Sequence, residues 1–181
     1  MSDSAAFILP LKGLGKGLYE YDLRVDRKFL SAFPESLIRE ADIGVHLIVD
    51  KQSREMVIDA DFNGTVATTC DRCTADIDLP VADRQQLIVQ FSPEAEEPTD
   101  EGEIVYLHPD TNEFNLAPFV YEMVMLAVPM IRTYACREGE PPYPCDEETL
   151  RRLETTPEPD EVPEDNDRPS PWDVLRDLNN N

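Results

Sequence analysis

Along most of this chain, apolar side chains recur at every second position, the spacing that gives a strand one buried face and one solvated face. Phe7, Leu9 and Leu11 alternate, as do Tyr19, Tyr21, Leu23 and Val25. Gly13-Leu14-Gly15-Lys16-Gly17 between these two runs reads as a glycine-rich turn, since the glycines lack the G-x-G-x-x-G order of a phosphate cradle and no helix follows directly. Residues 26–33 and 34–41 are predicted as short helical turns, with Pro34 breaking the first and suiting the start of the second. Val45, Leu47 and Val49, a polar turn over 50–54, and Met56, Ile58, Ala60 and Phe62 predict a hairpin. Its second strand puts Asp59, Asp61 and Asn63 on a solvated face, resumes after Gly64 with Val66 and Thr68, and delivers Cys70. Ile77, Leu79, Val81, Leu87, Val89 and Phe91 then keep one parity, predicting a long strand with an interruption near 83–85. Residues 92–103 read as an exposed loop, and Ile104–Leu107 as a brief strand that His108-Pro109 ends. His108 reads as a turn residue and His46 as a packed or tolerated one.

The period then changes. Leu116, Phe119, Val120, Met123, Val124 and Ala127 follow helical spacing, Asn115 is placed to cap, Pro118 fits the first turn and Pro129 stops the helix. Tyr121, Met125 and Leu126 leave little polar face, so this helix is expected to be buried, with Glu122 as its one charge. A buried carboxylate needs a cation or hydrogen-bond donors, so Glu122 reads as a structural anchor or a partner contact. No second acid or base is placed beside it for acid/base catalysis.

Net charge is −22 from 38 acids and 16 bases, a balance that argues against autonomous phosphate binding and favours a basic protein partner. Residues 155–170 form a Pro/Glu/Asp tract that reads as disordered linker. Ser170-Pro171-Trp172-Asp173 then carries helix-start signals, and Trp172, Leu175 and Leu178 line one side of a short helix fit to dock. The organisation expected is one α+β domain over 1–153 with an antiparallel sheet, hairpins and one buried helix, an acidic linker over 154–169, and an amphipathic helix over 170–181. No export signal or membrane span is read, which suggests a cytoplasmic protein.

The candidate chemistry lies in four cysteines, Cys70-Asp-Arg-Cys73 and Cys136 with Cys145. A Cys-x-x-Cys knuckle presents two thiolates to one metal, and the second pair completes a tetrahedral zinc shell, although eight intervening residues is a wide gap. In a reducing compartment metal binding is expected over structural disulfides. Unliganded thiols and a redox pair are the alternatives, the latter weakened because strand-like alternation, not a helix, follows Cys73.

Thr69-Cys70-Asp71-Arg72-Cys73, the long strand after it, the acidic loop, and Asn115-Leu116 through Glu122 to Leu126-Ala127-Val128-Pro129 together resemble the YceD family, as does Pro169-Ser170-Pro171-Trp172-Asp173-Val174-Leu175. The resemblance covers most of the chain. Members are bacterial and plastid proteins associated with accumulation of large-subunit ribosomal RNA, and the family's Cys-x-Arg-Cys core and helical glutamate fall on Cys70, Arg72, Cys73 and Glu122. The stretch from Cys136 to Cys145 departs from the closely spaced pairs of many relatives. The resemblance implies a non-enzymatic ribosome-biogenesis factor supporting 23S ribosomal RNA through a basic ribosomal protein or a large-subunit assembly intermediate. Structural zinc on Cys70, Cys73, Cys136 and Cys145 is the cofactor expected, and Arg72, Glu122 and Trp172 are candidate partner contacts. The alternatives are a thiol oxidoreductase using Cys70 and Cys73, or direct RNA binding through Arg72, Arg84 and Arg132.

Overall fold

In the computed structural model, which describes residues 6–95, 99–100, 104–136 and 143–155, the alternating runs become strands. They are β1 (Ile8–Pro10), β2 (Gly17–Asp26), β3 (Glu40–Lys51), β4 (Glu55–Thr69), β5 (Asp76–Phe91), β6 (Thr99–Asp100), β7 (Ile104–Leu107) and β8 (Glu113–Asn115). The helices are α1 (Arg27–Leu30), α2 (Ala117–Ala127) and α3 (Glu147–Glu154). Six strands form one sheet in the order β2-β3-β4-β5-β7-β6, and β1 pairs with β8 in a second, two-stranded sheet. All pairings are antiparallel except that of β7 with β5, which is parallel. The chain is therefore the α+β protein with a largely antiparallel sheet that the alternation implies. Contacts divide it into two units, Met1–Asp146 and Glu147–Asn181, with α3 opening the second. Among the described residues no helix is long and apolar enough to cross a membrane.

Period-two patterning puts Ile43, Val45, Leu47 and Val49 of β3, Met56, Ile58, Ala60 and Phe62 of β4, and Ile77, Leu79, Val81, Leu87 and Val89 of β5 on the buried face. The opposite face is tied by polar cross-strand pairs: His46 Nδ1 lies 2.8 Å from Asp22 Oδ1, Gln86 Nε2 donates to Asp59 Oδ1 at 2.8 Å, and Arg84 sits 3.9 Å from Asp61. Gly64 lies opposite Ile43 where β3 and β4 press together, and a Cβ there would stand 2.2 Å from the Asp42 carbonyl oxygen. A ladder of aromatic rings, Phe7 on Phe29, Phe29 on Phe33 and Phe33 stacked on Tyr121 at 4.1 Å, joins the β1 end and α1 to α2.

Several expectations need correction. Residues 34–41 do not form a helix: the Ser36 hydroxyl bonds the backbone of Ile38, and Glu40 is already paired with Ala67 at the start of β3. Local side-chain bonds of this kind compete with helical ones. Strand β5 runs unbroken through 83–85, because residues there pair continuously with 60–62 of β4 and the polar stretch simply faces solvent. Helix α2 buries Ala117, Val120, Met123 and Val124 along one face, while Glu122 and Leu126 are exposed. The expected buried carboxylate is thus a solvent-facing one, since Glu122 falls between the turns that contact the core. Asn115 does act at the helix start, its Oδ1 accepting from the Ala117 amide at 3.0 Å. The glycine turn over 13–17 separates strands of different sheets. Lys51 ties it down, its Nζ donating to the carbonyls of Leu11 and Leu14 at 3.1 and 2.7 Å.

Candidate functional site

The knuckle forms where β4 must turn back into β5. The Cys70 amide donates to the Ala75 carbonyl at 2.8 Å and the Thr74 amide to the Cys70 carbonyl at 2.9 Å, closing a tight loop whose crossing point places Thr74 at φ 60°. A left-handed conformation is strained for a β-branched residue, so the surrounding bonds must hold it. Asp71 supplies them: its amide donates to the Arg132 carbonyl at 2.7 Å, its carboxylate accepts from the Arg132 amide at 2.7 Å, and the guanidinium completes the pair at 3.0 Å. Arg132 also donates to Thr68 Oγ1 at 3.2 Å. The Asp71 carboxyl is accordingly held below its ordinary range, first by the Arg132 amide and then by its side chain. This double clip brings the segment after α2, and with it Cys136, beside the knuckle.

Cys70 and Cys73 are buried free thiols, 1% and 0% exposed. Cys136 and Cys145 are joined by a disulfide. The sulfurs of Cys73, Cys136 and Cys145 lie within 4.8 Å of one another, and Cys73 shares the knuckle with Cys70, so Cys73 links the two pairs. Burial alone would push the Cys70 thiol up, but the backbone amides of Tyr134, Cys73 and Arg72 and the Cys73 side chain outweigh it and bring Cys70 to about 7. Amides converging on one sulfur stabilise a thiolate, the form that binds zinc.

Of the four cysteines singled out in the sequence, the structure gathers the sulfurs of Cys73, Cys136 and Cys145, with Cys70 in the same knuckle as Cys73. The second pair, Cys136 and Cys145, is joined in a disulfide where the sequence reading expected metal binding over structural disulfides. Spacing alone does not separate these outcomes, since nine positions allow either a bridge or a shared ion. Sequence reading missed the Asp71–Arg132 clip, whose partners are 61 residues apart; Asp71 inside the knuckle was its only local signal.

The fold does not gather Arg72, Arg84 and Arg132, the basic spot that the alternative of direct RNA binding would need. Arg84 faces Asp61 in mid-sheet, and eight residues of extended strand put it roughly 26 Å from the knuckle end of β5. Arg132 is held by Asp71, and only Arg72 remains exposed at the knuckle. Each distant arginine meets an acid because acids outnumber bases on this surface. Trp172 lies outside the described residues.

Residues 58–179 match the family model described as "Large ribosomal RNA subunit accumulation protein YceD". No curated protein and no solved structure matches the chain.

Proposed function

The chain belongs to the YceD family, as a match over more than half its length shows, and from that premise we propose that it is a non-enzymatic ribosome-biogenesis factor. It supports synthesis, processing or accumulation of 23S ribosomal RNA in the cytoplasm by holding a basic protein partner, a ribosomal protein or one presented by a large-subunit assembly intermediate. The observation that carries this reading is the family match, whose description names accumulation of large-subunit ribosomal RNA. The formal charge of −22 supports a protein partner over direct grip on phosphate. Arg72, Glu122 and Trp172 are the partner contacts in this reading, with 154–169 as an acidic linker and 170–181 as a short docking helix.

Zinc belongs to the same proposal. Reduction of the Cys136–Cys145 bridge by a dithiol yields two further thiols beside Cys70 and Cys73, and the amides around Cys70 suit a thiolate ligand. Bound zinc would fasten the knuckle to the segment after α2. The test is quantification of mature and precursor 23S RNA relative to small-subunit RNA in cells lacking the protein and in cells restored with it. A selective, restorable deficit is expected; an unchanged ratio overturns the proposal.

The depressed Cys70 thiol, in a knuckle whose Cys73 sulfur lies within 4.8 Å of the disulfide sulfurs, favours one second reading, thiol–disulfide exchange. It requires reduced protein to reduce a model disulfide in a Cys70-dependent way. The near-complete burial of Cys70 and Cys73 argues against access for a protein substrate.

A further inference from the structure

Three large apolar side chains stand almost bare beside α2: Leu37 is 88% exposed, Leu126 75% and Met130 98%. They are unlike the single exposed hydrophobics that any surface carries, because Leu37, Leu126 and Met130 share the rim of one groove. The groove, about 780 Å³, runs between α2 and the turn over 34–39, with Tyr121 and Met125 in its wall. A second depression of about 550 Å³ lies on the other flank of α2, lined by Leu87, Val105, Phe114, Phe119 and Met123, and Glu122 and Leu126 border both. Helix α2 is thus a ridge with an apolar trough on each side and Glu122 on its crest.

Among the residues that line the groove, unpaired charge is of one sign, and Arg39 in the adjoining turn donates to the Pro34 carbonyl. Glu35 and Glu122 are exposed on the rim of the groove. The arginine that also lines it, Arg132, is bound through its guanidinium to Asp71 and Thr68. An occupant therefore meets apolar walls and uncompensated carboxylates. The walls are held firmly: Ser36 bonds Ile38, and Phe33 stacks on Tyr121, which fixes the turn carrying Leu37 against α2. A preformed groove loses little conformational freedom on binding.

We propose that the groove beside α2 is the docking site for a cationic amphipathic segment of another protein, its apolar side chains set between Leu37, Leu126 and Met130 and its lysines or arginines over Glu35 and Glu122. The occupant is a protein segment, not nucleic acid, because the rim offers carboxylates where phosphates would need cations. It is not a second copy of the chain, because two such rims would bring acid against acid. This inference rests on the biogenesis reading above and gives the basic partner an address.

The test uses the full chain and a short fluorescent peptide with Leu at helical spacing and Lys elsewhere, alongside a scrambled peptide and one with Glu in place of Lys. Binding is followed by anisotropy at several salt concentrations. Leu126→Ser with Met130→Ser, both at exposed positions, is expected to weaken binding at least ~10-fold. Glu122→Lys is expected to weaken it several-fold and flatten its salt dependence, whereas Glu20→Lys, the same charge change on β2 outside the groove, is expected to leave the groove contribution intact. Circular dichroism checks that each variant is folded. Equal affinity for the scrambled or Glu peptide, or equal loss from Glu20→Lys and Glu122→Lys, overturns the proposal, as does a concentration-dependent dimer abolished by the Leu126/Met130 change. Restoring null cells with the Leu126/Met130 variant separates the two readings. Full recovery of 23S RNA by a variant that no longer binds peptide removes the groove and leaves the biogenesis role standing. Null cells with normal 23S RNA remove the role, whatever the peptide does.

Discussion

Gly64 and Gly44 sit in neighbouring strands and differ in what a methyl group would meet. At Gly64 the added carbon would stand 2.2 Å from the Asp42 oxygen and 2.6 Å from the Ile43 Cα, both backbone atoms that cannot swing aside, whereas at Gly44 nothing lies within 4 Å. Gly64→Ala is therefore expected to cost about 2 kcal/mol or more in urea unfolding, and Gly44→Ala close to nothing; equal effects would refute the close strand approach. His46 offers a titration at the same scale. Its pKa is raised above 6.5, first by the Asp22 hydrogen bond and also by the Asp22, Glu20 and Asp61 charges. A raised value means the interaction is fully present below 6.5 and fades as pH rises through the folded value. NMR titration is expected to place His46 above 6.5 and to show Asp22→Asn lowering it; no change in Asp22→Asn would remove the pair as the cause. Alternation in the sequence placed His46 in its strand, but Asp22 is its partner only because β2 and β3 align Asp22 with His46, and register is a tertiary choice.

At the level of elements, the long strands and α2 were readable because burial on one face imposes a period. Short or unburied elements leave no such trace. Strand β8 is three residues long, and α3 has no buried residue. The absent helix at 34–41 shows the converse, since a proline and plausible spacing promised a helix that Ser36 and the early start of β3 pre-empt. At the start of α2, Asn115→Ala is expected to cost about 1 kcal/mol in thermal or urea unfolding, because the Ala117 amide loses its acceptor; no loss would mean that water serves as well. The knuckle gives a sharper expectation. In metal-free protein with the Cys136–Cys145 bridge intact, the ultraviolet thiolate absorbance of one cysteine is expected to titrate near 7, below the ordinary 9.0, and this step is expected to vanish in Cys70→Ser. For a depressed acid, the stabilisation is complete above about 9 and is lost as pH falls through about 7, so the metal-free, bridged protein is expected to be firmer on the alkaline side of that window. A single step near 9 would show that burial prevails over the amides.

For the molecule as a whole, 38 acids against 16 bases make the surface repel itself. Added salt is expected to raise the melting temperature steadily as the Debye length falls from about 10 Å at 0.1 M to 3 Å at 1 M; a fall with salt would mean that the surface ion pairs outweigh the repulsion. Composition made this charge plain, and the cysteine spacing drew attention to four residues, of which the fold gathers the sulfurs of Cys73, Cys136 and Cys145. It did not reveal how they come together, because Asp71 and Arg132 meet only when β5, β7 and α2 have been laid down between them. That order has a consequence for a chain emerging from synthesis. Cys70 and Cys73 exist as a pair long before Cys136 does, yet the Tyr134 amide that helps hold the Cys70 thiolate arrives with the last part of the first unit. The sulfur cluster is in this sense a completion mark. A nascent or truncated protein ending before residue 132 lacks both the Arg132 clip and the Tyr134 amide, contacts that shape the Cys70 site in the finished fold.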